Sequence, residues 1–245
     1  SVSWIKQQTK PFFLWLALNA PHTPFHRPPL NLISDKTLVD NQAAINSNPL
    51  PYYLASIEAM DKEIARLITS LTEEQRKNTI FIFMGDNGTP SRVAQKPFTR
   101  STAKSSLFQG GINTPLIVSG RNVTRKNVTE TAMVQATDMF ATLADIATVS
   151  SGDTKDGQSI LPLFNNANAT KRTFAYSEFF GSGQSSNNGY TVRNGAYKFI
   201  HLENGKEYLF KISVDPFEFA NLLDQALTGE AQSNLYALKL IKTKL

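Results

Sequence analysis

The sequence of 245 residues contains no cysteine. That excludes disulfides, thiolate metal sites and a cysteine nucleophile within the chain. Long apolar runs are missing too. The longest, at 12–18 and 80–84, fall far short of the ~20 residues that a membrane span needs. No charged segment followed by an apolar stretch opens the chain, so no secretion leader is expected within it. There is no block of charge of one sign. Lys and Arg number 25 against 20 Asp and Glu, a net charge of +5, and apart from Arg121, Arg125 and Lys126 the basic residues are scattered. Basic and aromatic residues do not interleave, so nucleic acid is not an expected partner. The remaining composition, 41% apolar and 18% charged, is that of a globular protein with a real core.

The run 11–18 is continuously apolar, which predicts a strand buried on both faces of a parallel sheet. Prolines at 21, 24, 28 and 29 forbid regular structure after it. Residues 30–48 read as a polar excursion. A helix is predicted over 51–71, where Leu54, Ile57, Ile64, Leu67, Ile68 and Leu71 recur at helical spacing and Pro51 suits a first turn. A second buried strand follows at 80–84. Strand, helix and strand together predict a parallel, right-handed βαβ unit. A third strand is expected at 115–119, a helix over 134–149 and a turn at 152–157.

Beyond about residue 170 the pattern changes. Short strands are predicted at 173–180, 190–200 and 208–212. The turns between them are Gly181-Ser182-Gly183, Asn187-Asn188-Gly189 and Asn204-Gly205, which favour antiparallel hairpins. Asp215-Pro216 reads as a further turn, and a terminal helix is expected at 231–243. The fold class is therefore α/β. Residues 1–170 form part of a mixed sheet flanked by helices, and 171–245 form a small antiparallel α+β subdomain.

In open α/β sheets, ligands bind beyond the carboxyl ends of the strands. The predicted strand at 11–18 delivers His22 to such an edge, and that at 80–84 delivers Asp86 and Asn87. A carboxylate and an amide oxygen are ligands for a hard cation such as Ca²⁺ or Mg²⁺, but two are too few for calcium, which takes six to eight. The plain alternative for Asp86-Asn87-Gly88 is a tight turn. Lys104, in the following loop, could bind an anionic ester oxygen or stabilise a departing one; it could equally be a solvated loop lysine. His22 could donate a proton or hydrogen bond, or be structural beside its prolines. His26 and His201 have no supporting context.

Taken together, these pieces resemble the sulfatase family of the alkaline-phosphatase-like superfamily. Phe12 to Pro24 resembles its strand-plus-histidine segment, and Tyr53 to Ile64 the helix that follows. Thr79 to Gly88 resembles the metal-binding strand end. Lys104-Ser-Ser-Leu-Phe-Gln-Gly110-Gly111-Ile-Asn-Thr-Pro115 resembles the Lys-Gly-x-x-x-Glu-Gly-Gly-x-x-x-Pro segment. Asp138-Met-Phe-Ala-Thr-Leu143 and Asp156-Gly-Gln-Ser159 resemble the next landmarks. Val192 to Ile200 and Tyr208 to Leu222 resemble the C-terminal subdomain. Order and spacing hold from about residue 10 to 225.

The resemblance implies roles. His22 would contact the sulfate ester or its leaving oxygen. Asp86 and Asn87 would be two calcium ligands. Lys104 would bind sulfate and stabilise the leaving group. Family chemistry is sulfate ester hydrolysis, in which the hydrate of a formylglycine attacks sulfur, the alcohol leaves and sulfate is eliminated. The Cys/Ser-x-Pro-x-Arg motif that supplies formylglycine is not recognisable here, nor are the family's other two metal-binding aspartates and its lysine–histidine pair. Gly88-Thr89-Pro90-Ser91-Arg92 imitates the motif with a glycine, which has no side chain to oxidise. Ser105 stands where the family's glycine follows the lysine, and Gln109 where its glutamate precedes Gly-Gly; both are expected to affect local geometry more than chemistry.

The chain is accordingly expected to be the C-terminal half of a sulfatase and inactive alone. Its expected substrate is a sulfated small molecule or glycan. A partner copy or the missing half would cover an open sheet edge. The expected location is periplasmic, secreted or lysosome-like. The alternatives are a phosphodiester or phosphonate ester hydrolase of the same superfamily, and a non-catalytic anion- or metal-binding module. Asn122-Val-Thr124, Asn127-Val-Thr129 and Asn168-Ala-Thr170 match glycosylation acceptors, a pattern that arises easily by chance.

Overall fold

Residues 1–150, 152–154, 156–169, 172–181 and 185–244 are described by a computed structural model. Residues 182–183 of the predicted turn at 181–183, residue 155 of the turn at 152–157 and Thr170 of the third glycosylation triplet lie outside that set. The chain divides into two compact units, Ser1–Thr79 with Pro90–Ala94, and Ile80–Thr89 with the residues from Gln95 onward.

The first unit is helical. It contains α1 (Val2–Lys6), α2 (Gln42–Ser47), α3 (Leu50–Thr69) and α4 (Glu73–Lys77). Asn41 caps α2, its side chain accepting the Ala44 N–H at 3.0 Å. Pro51 lies in the first turn of α3, as predicted, where its missing N–H costs nothing. Thr72 and Gln75 form a reciprocal capping box on α4.

The buried stripe of α3 is Tyr52, Ala55, Ser56 and Ala59 rather than the predicted set, of which Leu54 is exposed. The cause is local. Phe25 and Ile45 pack with Tyr52, and Ile33 packs with Ala55 and Ala59, so the polar excursion and its flanks cover the first half of the helix.

The predicted strand at 11–18 does not form. The segment has no regular structure, and Phe12, Phe13, Trp15, Leu16 and Leu18 are exposed, Trp15 at 82%. A strand exists through its ladder of hydrogen bonds, and among the described residues no segment pairs with 11–18. Apolar content supplies the side chains of a buried strand but not its neighbour. The predicted parallel βαβ unit is absent for the same reason.

In the second unit, β1 (Ile80–Met84) is followed by α5 (Gln109–Ile112) and then by β2 (Leu116–Gly120), which pairs with β1 in antiparallel register, Met84 opposite Leu116. This ribbon is half-buried rather than buried on both faces. Ile80, Leu116 and Val118 pack on Val123, Ile160, Leu163 and Phe164, while Ile117 points to solvent.

Helix α6 (Asp138–Ile146) adds Met139 and Ile146 to that core and is shorter than the predicted 134–149. Its first residue, Asp138, is a buried hub. The carboxylate accepts the Gln135 N–H at 2.8 Å and the Gln158 N–H at 2.9 Å, and pairs with the buried Arg172. The two landmarks at 138 and 156–159 are thus halves of one contact.

The second sheet is an antiparallel meander of β3 (Ala175–Phe179), β4 (Gly189–Arg193), β5 (Lys198–Leu202) and β6 (Glu207–Phe210). The antiparallel character and the Asn204-Gly205 turn agree with the sequence pattern. The predicted strand 190–200 is in fact two. Asn194 Oδ1 accepts the N–H groups of Ala196 and Tyr197, at 2.9 and 2.7 Å, and folds the chain into a tight turn. On one face Val192, Phe199 and Leu209 lie under Ala231 and Leu238 of α7 (Gly229–Lys242). On the other, Ile200, Leu202 and Phe210 pack on Leu107. Among the described residues no helix is long and apolar enough to cross a membrane.

Candidate functional site

Strand β1 ends at Met84, and the Gly85 N–H still pairs with Pro115 O at 3.0 Å. The chain then turns, leaving Asp86 and Asn87 exposed. It docks backbone to backbone, with the Gly88 N–H donating to Gly111 O at 2.9 Å. A Cβ at position 88 would lie 2.1 Å from Gly110 O and 2.8 Å from Gly111 Cα, so no side chain fits there. Gly110 and Gly111 have causes of their own, since a Cβ would lie 2.4 Å from Thr102 O at position 110 and 2.2 Å from Ser106 O at position 111. Asn87 Nδ2 donates to the Asp86 carboxylate. Asn87 Oδ1 and the second carboxylate oxygen are left as acceptors.

The loop that carries Lys104 is pinned at several points. The Lys104 N–H donates to Thr89 O at 3.0 Å, beside the Asp86-Asn87 turn. Ser105 takes φ +68°, the left-handed region that glycine enters without penalty. Serine keeps the glycine-like turn and bears its strain. The Ser105 carbonyl accepts a hydrogen bond from Asn187 Nδ2 at 2.9 Å. Leu107 is buried in the apolar pad of the second sheet. The side chain of Lys104 is half-buried and forms no ion pair among the described residues.

The loop ends on a buried charged cluster. Lys198 Nζ donates to Glu218 Oε1 at 2.6 Å, with both side chains out of water. Glu218 Oε2 accepts the Gln109 N–H at 2.6 Å, and Gln109 Oε1 lies 3.4 Å from Lys198 Nζ. Glu218 itself holds φ +62°. Burial pushes the Lys198 ammonium down to about 8 from its ordinary 10.5, against the opposing pull of Glu218. Between those pH values the unfolded chain holds more protons than the folded one, so this group's contribution to stability rises with pH from about 8.

Asp86, Asn87 and Lys104 line one open groove of about 1170 Å³ in the second unit, together with Gly111, Asn113 and Arg193. His22 belongs to the first unit. Its Nδ1 lies 2.7 Å from Thr23 O. A carbonyl can only accept, so Nδ1 carries hydrogen in that contact and Nε2 is left to act. His26 contacts Pro24 O, and His201 pairs with Glu207 and stacks on Tyr190, a structural position. Arg193 and the Lys198–Glu218 pair escape a reading of the sequence, because each looks like an ordinary surface residue in its own segment.

Calcium needs six to eight oxygens, and Asp86 and Asn87 supply two. Among the described residues no group of three or more His, Cys, Asp or Glu could hold a metal. The two residues fit a share of such a shell, not the whole of it.

The family model for Sulfatase matches residues 1–149, and that for N-sulphoglucosamine sulphohydrolase, C-terminal, matches 101–244. Arylsulfatase K of Mus musculus is 25% identical over 91% of this chain and 48% of its own length. The solved structure of Ps i-CgsB aligns with 97% of the chain and 50% of its own at a TM-score of 0.72 and 24% identity. The structure of BT4656 in complex with its substrate D-glucosamine-2-N,6-O-disulfate aligns with 84% of the chain and 43% of its own at 0.67 and 24% identity. These structures establish the fold, an alkaline-phosphatase-like α/β arrangement. The chain spans about half the length of the curated relatives it matches.

Two stability measurements test this geometry. Ser105→Gly removes the strain and should raise the unfolding free energy by about 0.5–1 kcal/mol in urea titrations; a loss would show that the serine side chain is needed. Glu218→Gln strips the counter-charge from Lys198 and should cost about 3 kcal/mol at pH 7. The cost should shrink at pH 9.5, where Lys198 is largely neutral. Equal losses at the two pH values would contradict a charged Lys198.

Proposed function

The chain belongs to the sulfatase family, and on that footing we propose that it supplies the metal-and-sulfate half of a sulfuric ester hydrolase site. The observation that carries the reading is the shared groove of Asp86, Asn87 and Lys104. The Lys104 ammonium is a half-buried cation without an acid partner among the described residues, suited to sulfate oxygens and to negative charge developing on a leaving oxygen. Asp86 and Asn87 contribute two oxygens toward a calcium shell completed by other ligands. Calcium, when bound, neutralises sulfate charge. His22, through Nε2, is the candidate to hand a proton to the departing alcohol.

The chain holds no Cys/Ser-x-Pro-x-Arg motif, and its one imitation has glycine at position 88, so in this reading the group that attacks sulfur, a formylglycine, comes from outside these 245 residues. We assign 1–170 to the catalytic α/β part and 171–245 to the antiparallel subdomain. The substrate is a sulfated small molecule or glycan. The proposed location is periplasmic, secreted or lysosome-like, which cell fractionation checks. The exposed run Phe12, Phe13, Trp15, Leu16 and Leu18 is the surface that the other half of the protein or a second copy covers.

Two outcomes are expected. The purified chain should bind inorganic sulfate, with Lys104→Ala weakening it by about tenfold or more, and should show no turnover of 4-nitrophenyl sulfate. Turnover that disappears in Lys104→Ala would overturn the external nucleophile. In light scattering the chain alone should self-associate through 12–18, and Phe13→Ser/Trp15→Ser should reduce it; a monomer at high concentration would remove the covered-surface reading.

A further inference from the structure

The groove is lined by as many carboxylates, Asp86, Glu130 and Glu178, as cations, so what matters is which charges are already engaged. Three cations line it, Lys104, Arg125 and Arg193. Arg125 is paired with Glu130 at 2.5 Å. Arg193, at the end of β4 and directly opposite Lys198 of β5, forms no ion pair among the described residues. Its Nε has one contact, with Asn194 O at 3.5 Å, the outer limit of a hydrogen bond.

The nearby carboxylates are occupied. Glu218 acts electrostatically on Arg193, but one of its oxygens takes Lys198 Nζ and the other the Gln109 N–H. Glu178, also in the groove lining, is held by Lys242 and Tyr176. Arg193, Lys198 and Glu218 therefore make a cluster of two cations and one carboxylate. Position 109, where a glutamate would bring a second carboxylate to Lys198, is glutamine. Burial presses the Arg193 guanidinium toward losing its charge, yet a guanidinium keeps its proton. Its planar fork then favours an anion that can accept two parallel hydrogen bonds.

We propose that Arg193 forms a second anion subsite of the groove, taking a sulfate or carboxylate that the substrate carries apart from the reacting ester. This rests on the sulfatase reading and narrows the substrate to molecules with at least two anionic groups. Gln109 takes part by withholding a carboxylate, which leaves the positive charge free for ligand.

Calorimetric titration of the 245-residue chain with three disaccharides on one scaffold tests this. One bears a single sulfate, one bears two, and one bears a sulfate and a uronate carboxylate. At least one dianionic probe should bind about tenfold tighter than the monosulfated one, and which one does so identifies the second group. Arg193→Gln should bring its affinity down to that of the monosulfated probe. Arg193→Lys, which keeps the charge and loses the fork, should retain part of the gain. Gln109→Glu should shrink it by neutralising the cluster from within. Lys104→Ala should weaken all three probes.

Equal binding of the three probes by the wild-type chain would overturn the subsite. So would a gain that survives Arg193→Gln, or losses in Arg193→Gln that are the same for every probe. Failure of the wild-type chain to bind the monosulfated probe would instead sink the sulfatase reading, and dianionic binding that depends on Arg193 would still uphold the subsite.

Discussion

A lysine ammonium and a glutamate carboxylate, both removed from water, hold the groove in shape. Withdrawing such charges from solvent costs several kcal/mol per ion, so the pair persists only where each partner is fully engaged. Lys198 and Glu218 meet that condition through Gln109. The contact joins three distant parts of the chain: strand β5, the turn after Asp215, and the start of the Gly110-Gly111 segment. Leu107 adds an apolar pad from the same loop. The position of Lys104 is thus set from the second sheet. Glu218 holds a left-handed backbone angle in the same place, a cost of order 1–3 kcal/mol that the surrounding contacts sustain.

What could be read in the sequence follows from the range of each interaction. Local signals succeeded. Pro51 sits at the start of its helix, and Asn204-Gly205 turns its hairpin, because both effects act within a few residues. Apolar runs located β1 and β2 but said nothing of what they pair with. The run 11–18 has every side chain of a buried strand and no partner, and it stays exposed. Asn194 divides a predicted strand by bonding two N–H groups just ahead of it, a turn signal overridden by the apolar residues on either side. The cluster of Gln109, Lys198 and Glu218 spans about a hundred residues, so no window could have displayed it. Asp86, Asn87 and Lys104 stood out through family resemblance, and Arg193 did not.

The recurring landmarks have physical causes that are not catalytic. Asp138 sits at the head of α6 because its carboxylate collects the N–H of Gln135 just ahead of the helix, that of Gln158 well beyond it, and the guanidinium of Arg172. Ser105 shows the reverse case. It adopts the left-handed angle that glycine enters most easily, because the backbone bonds to Thr89 and Asn187 on either side of it prescribe the turn. A motif position can therefore change its residue while the backbone keeps its path.

The contact between Gly88 and Gly111 separates what can vary in this groove from what cannot. Its atoms are all main chain, and the gap between them admits no Cβ. The register of the Asp86-Asn87 turn against the loop is consequently the same whatever side chains surround it. Lineages descended from such a chain can reshape the groove walls, at Asn113 or Arg193 for instance, without moving the carboxylate. A frame that carries no side-chain identity lets the groove walls diverge while the Asp86-Asn87 corner keeps its place.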